Sequence, residues 1–238
     1  MPNDILPGFY GKLPSLGDFV SRRLPSDFIL PWDRWLQEAL YASKEELGSH
    51  FRNCYRNSPI WRFVLGSDCC GGNSAAGIMV PSLDKVGRHY PLVIAVVAKV
   101  PLFHLMVRAS KWFSRLEILV VKLFKKKVNV KEFDHQLQQL RLPLTLFKNR
   151  AYTVENSVSP ASYPLLFQVE VNTLQKTPKA LYYLTTRLLR LNCHLSAYSI
   201  WNSRGSKNTG SSMAVFKSLP PADRYIQFLA GLSKHINS

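Results

Sequence analysis

Three side chains in one short loop carry the residue types of a hydrolase triad: Ser82, Asp84 and His89. In such a triad the serine attacks, the histidine takes its proton, and the aspartate orients the histidine. Here the three are crowded into a single loop, and no nucleophile elbow accompanies the serine. The sequence therefore favours coincidence over catalysis, and we predict no catalytic residue and no enzymatic activity.

Metal and nucleotide chemistry are the next candidates. Cys69 and Cys70 are adjacent, no C-x-x-C occurs, and no pair of histidines stands at ligand spacing. This pattern favours a turn with small buried thiols over a metal site. The early glycines do not open a helix as a phosphate-binding loop would, so we predict no cofactor. The four cysteines do not form a disulfide framework, which fits a reducing compartment.

Ionic side chains near the N-terminus offer a structural role instead. Arg62 shares a strand face with Ile60 and Val64, and a covered guanidinium needs a carboxylate partner. Asp18 and Asp84 are the candidate partners, each in a loop that contains glycine. Two interpretations stay open: the pair braces two loops against the sheet, or the same loops form the edge that binds a partner.

Positive charge is concentrated in the later part of the chain. The net charge is +16: residues 1–107 hold 11 Lys and Arg against 9 Asp and Glu, residues 108–170 hold 11 against 5, and residues 171–238 hold 9 against 1. Such a field favours an acidic protein surface, an anionic membrane or nucleic acid, although a charge run is also an ordinary solvated face. The clearest basic patch comprises Arg108, Lys111, Arg115, Lys122, Lys125, Lys126 and Lys127.

Short apolar runs bounded by proline and glycine predict strands. The run at residues 92–98 is apolar throughout, which is typical of a strand covered on both faces. The predicted strands are Phe9–Leu13, Ile60–Leu65, Ala76–Val80, Leu92–Ala98 and a hairpin of Ala197–Trp201 with Met213–Phe216. For Leu165–Val171 two interpretations stay open, a strand or a helix.

Apolar residues at spacings of three and four predict the helices. The first covers residues 26–41 and becomes regular near Pro31, and Ser43 with Glu46 forms a capping box that starts a second. Asn129 with Glu132 is another capping box, opening a helix to Leu140. The remaining predicted helices are Met106–Phe124, Lys179–Leu191 and a terminal helix after Pro220.

Strands that alternate with helices favour an α/β fold. We predict a single domain over residues 1–238, with a motif-bearing part (1–107) and a basic part (108–238). Its architecture is a three-layer sandwich with a mixed central sheet and helices on both faces. No signal peptide and no transmembrane segment are evident in the sequence, so we predict a soluble, cytoplasmic protein.

A constellation of short motifs resembles one protein family. The motifs are Gly8-Phe9-Tyr10-Gly11-Lys12-Leu13-Pro14-Ser15-Leu16-Gly17-Asp18-Phe19-Val20, Arg22-Arg23-Leu24-Pro25, Pro31-Trp32-Asp33-Arg34-Trp35-Leu36, Ser58-Pro59-Ile60-Trp61-Arg62-Phe63, Cys70-Gly71 and Pro81-Ser82-Leu83-Asp84-Lys85-Val86-Gly87-Arg88-His89-Tyr90-Pro91-Leu92. In order and spacing they resemble the TagF (ImpM-type) proteins that accompany bacterial type VI secretion. Ser199-Ile200-Trp201 and Leu219-Pro220 resemble motifs of the same family more weakly.

The resemblance implies a non-enzymatic cytoplasmic regulator that holds type VI secretion off after translation and is linked to a partner with a forkhead-associated domain. Loops 14–25 and 81–91 would supply the contact surface, and the basic residues would steer an acidic partner. The alternative is a basic protein that binds nucleic acid or an anionic membrane, although the patch lacks the aromatic interleaving that nucleic acid favours. The candidates for partner binding or loop bracing are Lys12, Asp18, Arg22, Arg23, Arg62, Ser82, Asp84, Arg88 and Trp201.

Overall fold

The computed structural model describes residues 4–99, 105–126, 129–143, 169–170, 195–206 and 210–230. The strands are β1 (Gly8–Lys12), β2 (Phe19–Arg22), β3 (Trp61–Leu65), β4 (Ser74–Val80), β5 (Leu92–Ala98), β6 (Val169–Glu170), β7 (Tyr198–Ser203) and β8 (Ser212–Lys217). The helices are α1 (Ser26–Leu47), α2 (Phe51–Asn57), α3 (Leu105–Arg108), α4 (Ser110–Lys126), α5 (Val130–Gln138) and α6 (Tyr225–Ala230). Short 3₁₀ turns occupy Gly48–His50, Leu195–Ala197 and Ala222–Arg224.

All eight described strands belong to one sheet, in the order β2-β1-β5-β4-β3-β7-β8-β6. Every pairing among them is antiparallel, so the predicted mixed sheet is wrong. The reason is the length of the connections. The links from β3 to β4 and from β4 to β5 are loops without a crossover helix, and such loops join antiparallel neighbours.

The sheet is covered on both faces, because alternate residues of its strands enter two separate apolar clusters. In β3, Trp61, Phe63 and Leu65 pack with α1, α2 and α6, whereas Val64 packs with α3, α4 and α5. In β5, Leu92 and Val93 likewise enter different clusters. The predictions of a two-face alternation in β3 and of a doubly covered β5 are therefore confirmed.

Helix α1 is longer than predicted. It starts at Ser26 and continues through Ser43 to Leu47, so the capping box at Ser43 is wrong. Ser43 instead lies inside the helix, 1% exposed, and its hydroxyl has no hydrogen-bond partner among the residues that the structure describes. The apolar stripe of α1 extends through Ser43 to buried Leu47, and this packing outweighs the local capping signal.

Pro31 lies inside α1, where the turn that follows β3 packs closely against the helix. Proline has no N–H, so the Asp27 carbonyl receives no intrahelical bond from it. The turn that follows β3 packs at this point: the Cys70 thiol donates to the Phe28 carbonyl, 3.3 Å away. Gly71 has a φ of +77°, and a Cβ there would lie 2.3 Å from the Asp27 oxygen, so only glycine fits.

Aromatic rings fill the space between α1, α6 and the sheet. The Trp32 ring stacks on Phe28 at 5.4 Å and also contacts Phe63 and Trp201. Trp32 and Trp201 are fully buried, and fully burying one such side chain contributes about 2–3 kcal/mol. Trp32 and Trp35 are core residues. Trp201 is also core, which removes it from the candidates for direct partner contact.

Other elements match the sequence closely. Asn129 caps α5 by accepting from the Glu132 amide, and the hairpin of β7 with β8 forms as predicted. The predicted helix at 106–124 is split into α3 and α4. The predicted helix at 179–191 lies outside the described residues. No helix in the described part of the chain is both long and apolar enough to cross a membrane.

Replacing Ser43 with alanine tests whether this residue is interior or a cap. We expect Ser43→Ala to raise the free energy of unfolding by about 0.5–1 kcal/mol, because alanine favours helix and no buried hydroxyl remains unpaired. A true N-cap would instead lose about 1 kcal/mol. Urea unfolding followed by tryptophan fluorescence measures the difference, with exposed Ser49→Ala as the control.

Candidate functional site

Two segments that flank the β1–β5 side of the sheet form one surface. We call residues 14–25 and 81–91 the loop platform. The second segment connects β4 to β5 and folds back on itself through a bridge between Leu83 and His89. Gly87, with φ of +87°, closes its turn by donating from its amide to the Asp84 carbonyl.

The Asp84 carboxylate holds this turn together. One oxygen, Oδ1, accepts from the amides of Val86 and Arg88 at 3.0 and 2.9 Å. The other, Oδ2, accepts from Lys12 Nζ at 3.0 Å and from Arg88 Nε at 2.6 Å. The side chain of Asp84 is fully buried and that of Lys12 is 7% exposed. A buried carboxylate with four donors is satisfied, and it fixes the loop to the end of β1.

These contacts set the protonation state of Asp84. Burial by itself would raise the pKa of the carboxyl group. The hydrogen bonds from the Arg88 amide, the Lys12 and Arg88 side chains and the Val86 amide have the opposite effect and hold the pKa well below its usual range. Asp84 is therefore ionised at neutral pH.

Backbone contacts join the two segments directly. The Lys85 amide donates to the Leu16 carbonyl at 2.9 Å, and Arg88 donates to the Gly17 carbonyl at 2.6 Å. The Ser82 hydroxyl donates to the Lys12 carbonyl at 2.7 Å. Close packing also requires Gly11, because a Cβ there would lie 2.2 Å from the Pro91 oxygen. The loop platform is thus fastened at several points and is preorganised.

Sequence reasoning missed an aromatic cluster that completes the surface. The hydroxyls of Tyr10 and Tyr90 both donate to Asp33 Oδ1, at 2.9 and 2.6 Å. Burial and this carboxylate raise the pKa of Tyr10 to about 12 and also raise that of Tyr90. The Phe19 ring stacks on Tyr10 at 5.6 Å and meets Tyr90 edge-on at 4.7 Å, yet it stays 42% exposed. The available signal was three aromatic residues within the motif-bearing segments.

The predicted candidates divide into two groups. Lys12, Ser82, Asp84 and Arg88 come together where the end of β1 meets the 81–91 segment of the loop platform, as the contacts above show. The candidates in the 14–25 segment make separate contacts. Asp18 is exposed and accepts from the Phe19 amide, Arg22 is exposed and donates to the Ser21 carbonyl, and Arg23 reaches the Pro7 carbonyl and Asp134 of α5.

The predicted pairing of Arg62 with Asp18 or Asp84 is wrong. Arg62 donates to both carboxylate oxygens of Glu117 on α4, at 2.6 and 2.8 Å. The side chain of Arg62 is 6% exposed, so it does need a carboxylate, but the partner comes from a helix. This pair fixes α4 to the sheet and does not involve the loop platform.

The residues with possible catalytic or metal chemistry are occupied by structural contacts. The His89 ring packs against Phe51 and Tyr55. The Ser82 hydroxyl donates a hydrogen bond to the Lys12 carbonyl. Burial raises the pKa of the Cys69 thiol to about 11 and that of Cys70 to about 12, so both are protonated thiols at neutral pH. Within the described ranges no group of three or more His, Cys, Asp or Glu could hold a metal ion.

The described part of the basic patch lies on α3 and α4. These helices cover the face of the sheet from which Val64 projects, and the patch is on their solvent side. Its exposed members are Arg108, Lys111, Arg115, Lys122 and Lys125. Lys126 ends α4, and Lys127 lies outside the described residues. The patch and the aromatic part of the loop platform are therefore on opposite faces of the sheet.

Fold and site together define an α/β domain with an antiparallel sheet that presents a fixed, partly aromatic loop surface. Residues 8–140, more than half of the chain, match the model of the TagF N-terminal domain, described as type VI secretion system-associated. The chain belongs to the TagF family. It is similar to the crystal structure of PA0076 from Pseudomonas aeruginosa PAO1, determined at 2.05 Å, with 30% identity and a TM-score of 0.72, over 98% of this chain and 97% of that one. Comparison with curated proteins gave no match.

Acid titration tests the role of Asp84. The stability contributed by a carboxylate with a lowered folded-state pKa is present above its unfolded pKa, near 4, and is lost as pH falls toward the folded value. We expect the difference in melting temperature between the wild type and Asp84→Asn to be constant from pH 7 to about 5 and to shrink below about 4. Thermal melts at stepped pH measure it. A pH-independent difference would contradict the ionised cluster, and Asp18→Asn is the exposed control.

Removing the partner of Arg62 tests the corrected pairing. We expect Glu117→Ala to lower the free energy of unfolding by roughly 3 kcal/mol, because a guanidinium that is nearly fully buried loses its carboxylate. Asp18→Asn should change it by less than about 0.5 kcal/mol. Equilibrium urea unfolding measures both, and equal effects of the two substitutions would argue against the assignment.

Proposed function

We propose that this chain is a cytoplasmic repressor of type VI secretion that acts by binding, without chemistry, to a component of the system with a forkhead-associated domain. Membership of a secretion-associated family supplies the context. The observation that carries the proposal is the preorganised loop platform with Phe19 exposed at its centre. In this proposal residues 1–238 form one three-layer domain that acts by forming a complex with the partner protein.

The loop platform has the physical properties of a recognition surface. Its backbone is fixed by Asp84, so little conformational entropy is lost on binding. Aromatic residues, including phenylalanine, are enriched at the cores of protein interfaces, where a few residues carry most of the binding energy. Phe19 fits this role because Tyr10 and Tyr90 hold its ring, with Lys12 Nζ 5.2 Å from the ring centroid.

The chemistry around Phe19 favours an acidic partner. Arg22, Lys85 and Arg88 are exposed in the loop platform, and the Arg88 side chain is 61% exposed although its Nε binds Asp84. Val86, 66% exposed, adds apolar area beside them. An interface with an apolar centre and a cationic rim binds a surface of opposite charge, and the overall charge of +16 would speed their encounter.

Truncation of Phe19 tests this proposal. We expect Phe19→Ala to weaken binding to the purified forkhead-associated component by about tenfold or more, because an exposed, supported aromatic ring acts as a hot spot. Tyr41→Ala, which truncates an aromatic ring that is 66% exposed on α1, is the matched control and should change affinity by less than about twofold. Isothermal titration calorimetry measures both affinities.

Secretion assays supply the cellular readout. Cells that overproduce the wild-type chain should lose effector export, and cells that overproduce Phe19→Ala should retain it. The melting temperature of each variant shows that the fold is intact. If the wild type neither binds the component nor reduces export, the proposed function is wrong. If Phe19→Ala binds and represses as well as the wild type, the loop platform is not the contact surface.

A further inference from the structure

The outer face of α4 carries one continuous stripe of side chains. Its members are spaced four, three, four and three residues apart, so they lie along the same side of the helix. The opposite side of α4 is buried in the core through Leu116, Leu119 and Leu123. The stripe, all of it exposed, consists of Lys111, Arg115, Ile118, Lys122 and Lys125. Cations thus stand on both sides of a central isoleucine that is 55% exposed.

A groove runs beside the middle of this stripe. Its cavity has a volume of about 410 Å³ and lies between α4, the residue before β3 and the residues after β7. Ile60, Ile118 and Val121 give it apolar walls, and Val121 is 41% exposed. Lys122, Lys125 and Arg204 supply the charges around it. The stripe and the groove share Ile118, so they form one surface, which we call the α4 surface.

The positive charge of the α4 surface is not neutralised locally. Glu117 is the carboxylate that lines the groove, and both of its oxygens accept from buried Arg62. Arg204 stands 3.9 Å from the same carboxylate, at the limit of an ion pair, and its side chain is 62% exposed. Lys122 and Lys125 have no carboxylate partner among the residues that the structure describes. An apolar groove lined by exposed cations is complementary to an apolar group flanked by carboxylates.

We propose that the α4 surface binds an acidic amphipathic helix of a partner protein. The partner helix would place one apolar side chain in the groove against Ile118 and Val121. Its carboxylates, repeated at the same spacing of three and four residues, would face the cations of the stripe. This site goes beyond the proposed function, because α4 lies on the opposite face of the sheet from Tyr10 and Tyr90.

Two other anionic ligands fit this surface less well. A helix that binds membranes inserts a continuous apolar face, whereas the apolar face of α4 is already buried in the core. Single-stranded nucleic acid binds by stacking bases on aromatic rings, and the α4 surface presents aliphatic side chains between its cations. A protein helix uses both the apolar groove and the regular spacing of charge.

Fluorescence anisotropy with a synthetic peptide tests the proposal. The probe is a fluorescein-labelled helical peptide that carries glutamates and one central leucine at the spacing of the stripe. The control peptide has the same composition in permuted order. At ~150 mM salt we expect the full chain to bind the patterned peptide about tenfold more tightly than the permuted one. Equal binding of the two peptides, or no binding of the patterned one, would overturn the proposal.

Substitutions assign the binding to the groove. Ile118→Asn, which removes the apolar side chain without a charge change, and the double variant Lys122→Glu, Lys125→Glu should each weaken binding by about tenfold or more. The matched control is Arg52→Glu, Arg56→Glu, which makes the same charge change at exposed positions on α2 and should leave affinity within about twofold. Circular dichroism melts confirm folding. An unchanged affinity in Ile118→Asn would show that charge alone drives the interaction and would overturn the proposal.

Further arms separate this site from other ligands and from the loop platform. Phosphatidylglycerol–phosphatidylcholine vesicles and duplex DNA serve as competitors, and tighter binding of either than of the patterned peptide would overturn the proposal. Phe19→Ala should bind the peptide as the wild type does. The peptide assay contains no secretion component, so it can fail while the loop platform still binds its partner, and the reverse also holds.

Discussion

One buried carboxylate governs the candidate surface of this protein. Asp84 gives up its hydration, which by itself is costly, and four donors from the backbone and from Lys12 and Arg88 compensate for it. The geometry of these donors admits one arrangement of the loop between β4 and β5. The same carboxylate neutralises Lys12, which lies almost fully inside the protein at the end of β1. Its contacts add to the backbone and side-chain hydrogen bonds that join the two segments of the loop platform.

A second ion pair acts in the same way on the other side of the sheet. Arg62 projects from β3 and donates to both carboxylate oxygens of Glu117, which positions α4 over the strands. Buried ion pairs contribute little net stability compared with apolar packing, but removing one partner is costly. Both pairs therefore specify where an element sits, whereas the aromatic and aliphatic clusters supply most of the free energy of folding.

The two pairs also leave cations available on each face. Asp84 occupies only one nitrogen of Arg88, which remains largely exposed, and Glu117 is engaged with Arg62 and cannot neutralise Lys122 or Lys125. Each face consequently combines apolar area with exposed positive charge: Phe19 and Val86 on one side, Ile118 and Val121 on the other. The two proposed contact surfaces lie on opposite faces of the sheet, so partners at the two surfaces would not compete for the same area.

The sequence by itself determined what depends on neighbouring residues. Alternation in β3 placed Arg62 opposite Trp61 and Phe63, the capping box at Asn129 located the start of α5, and the motifs identified the family. Only the tertiary structure decided what depends on packing between distant segments. Packing of its apolar stripe extended α1 past the predicted capping box at Ser43. The carboxylate that pairs with Arg62 belongs to Glu117 on α4, 55 residues away in the sequence. The physical reason is the sequence separation over which residues interact. Local patterns involve residues within one helical turn or one pair of strands. The partner of a buried charge and the direction of each strand depend instead on which distant segments pack together in the folded chain.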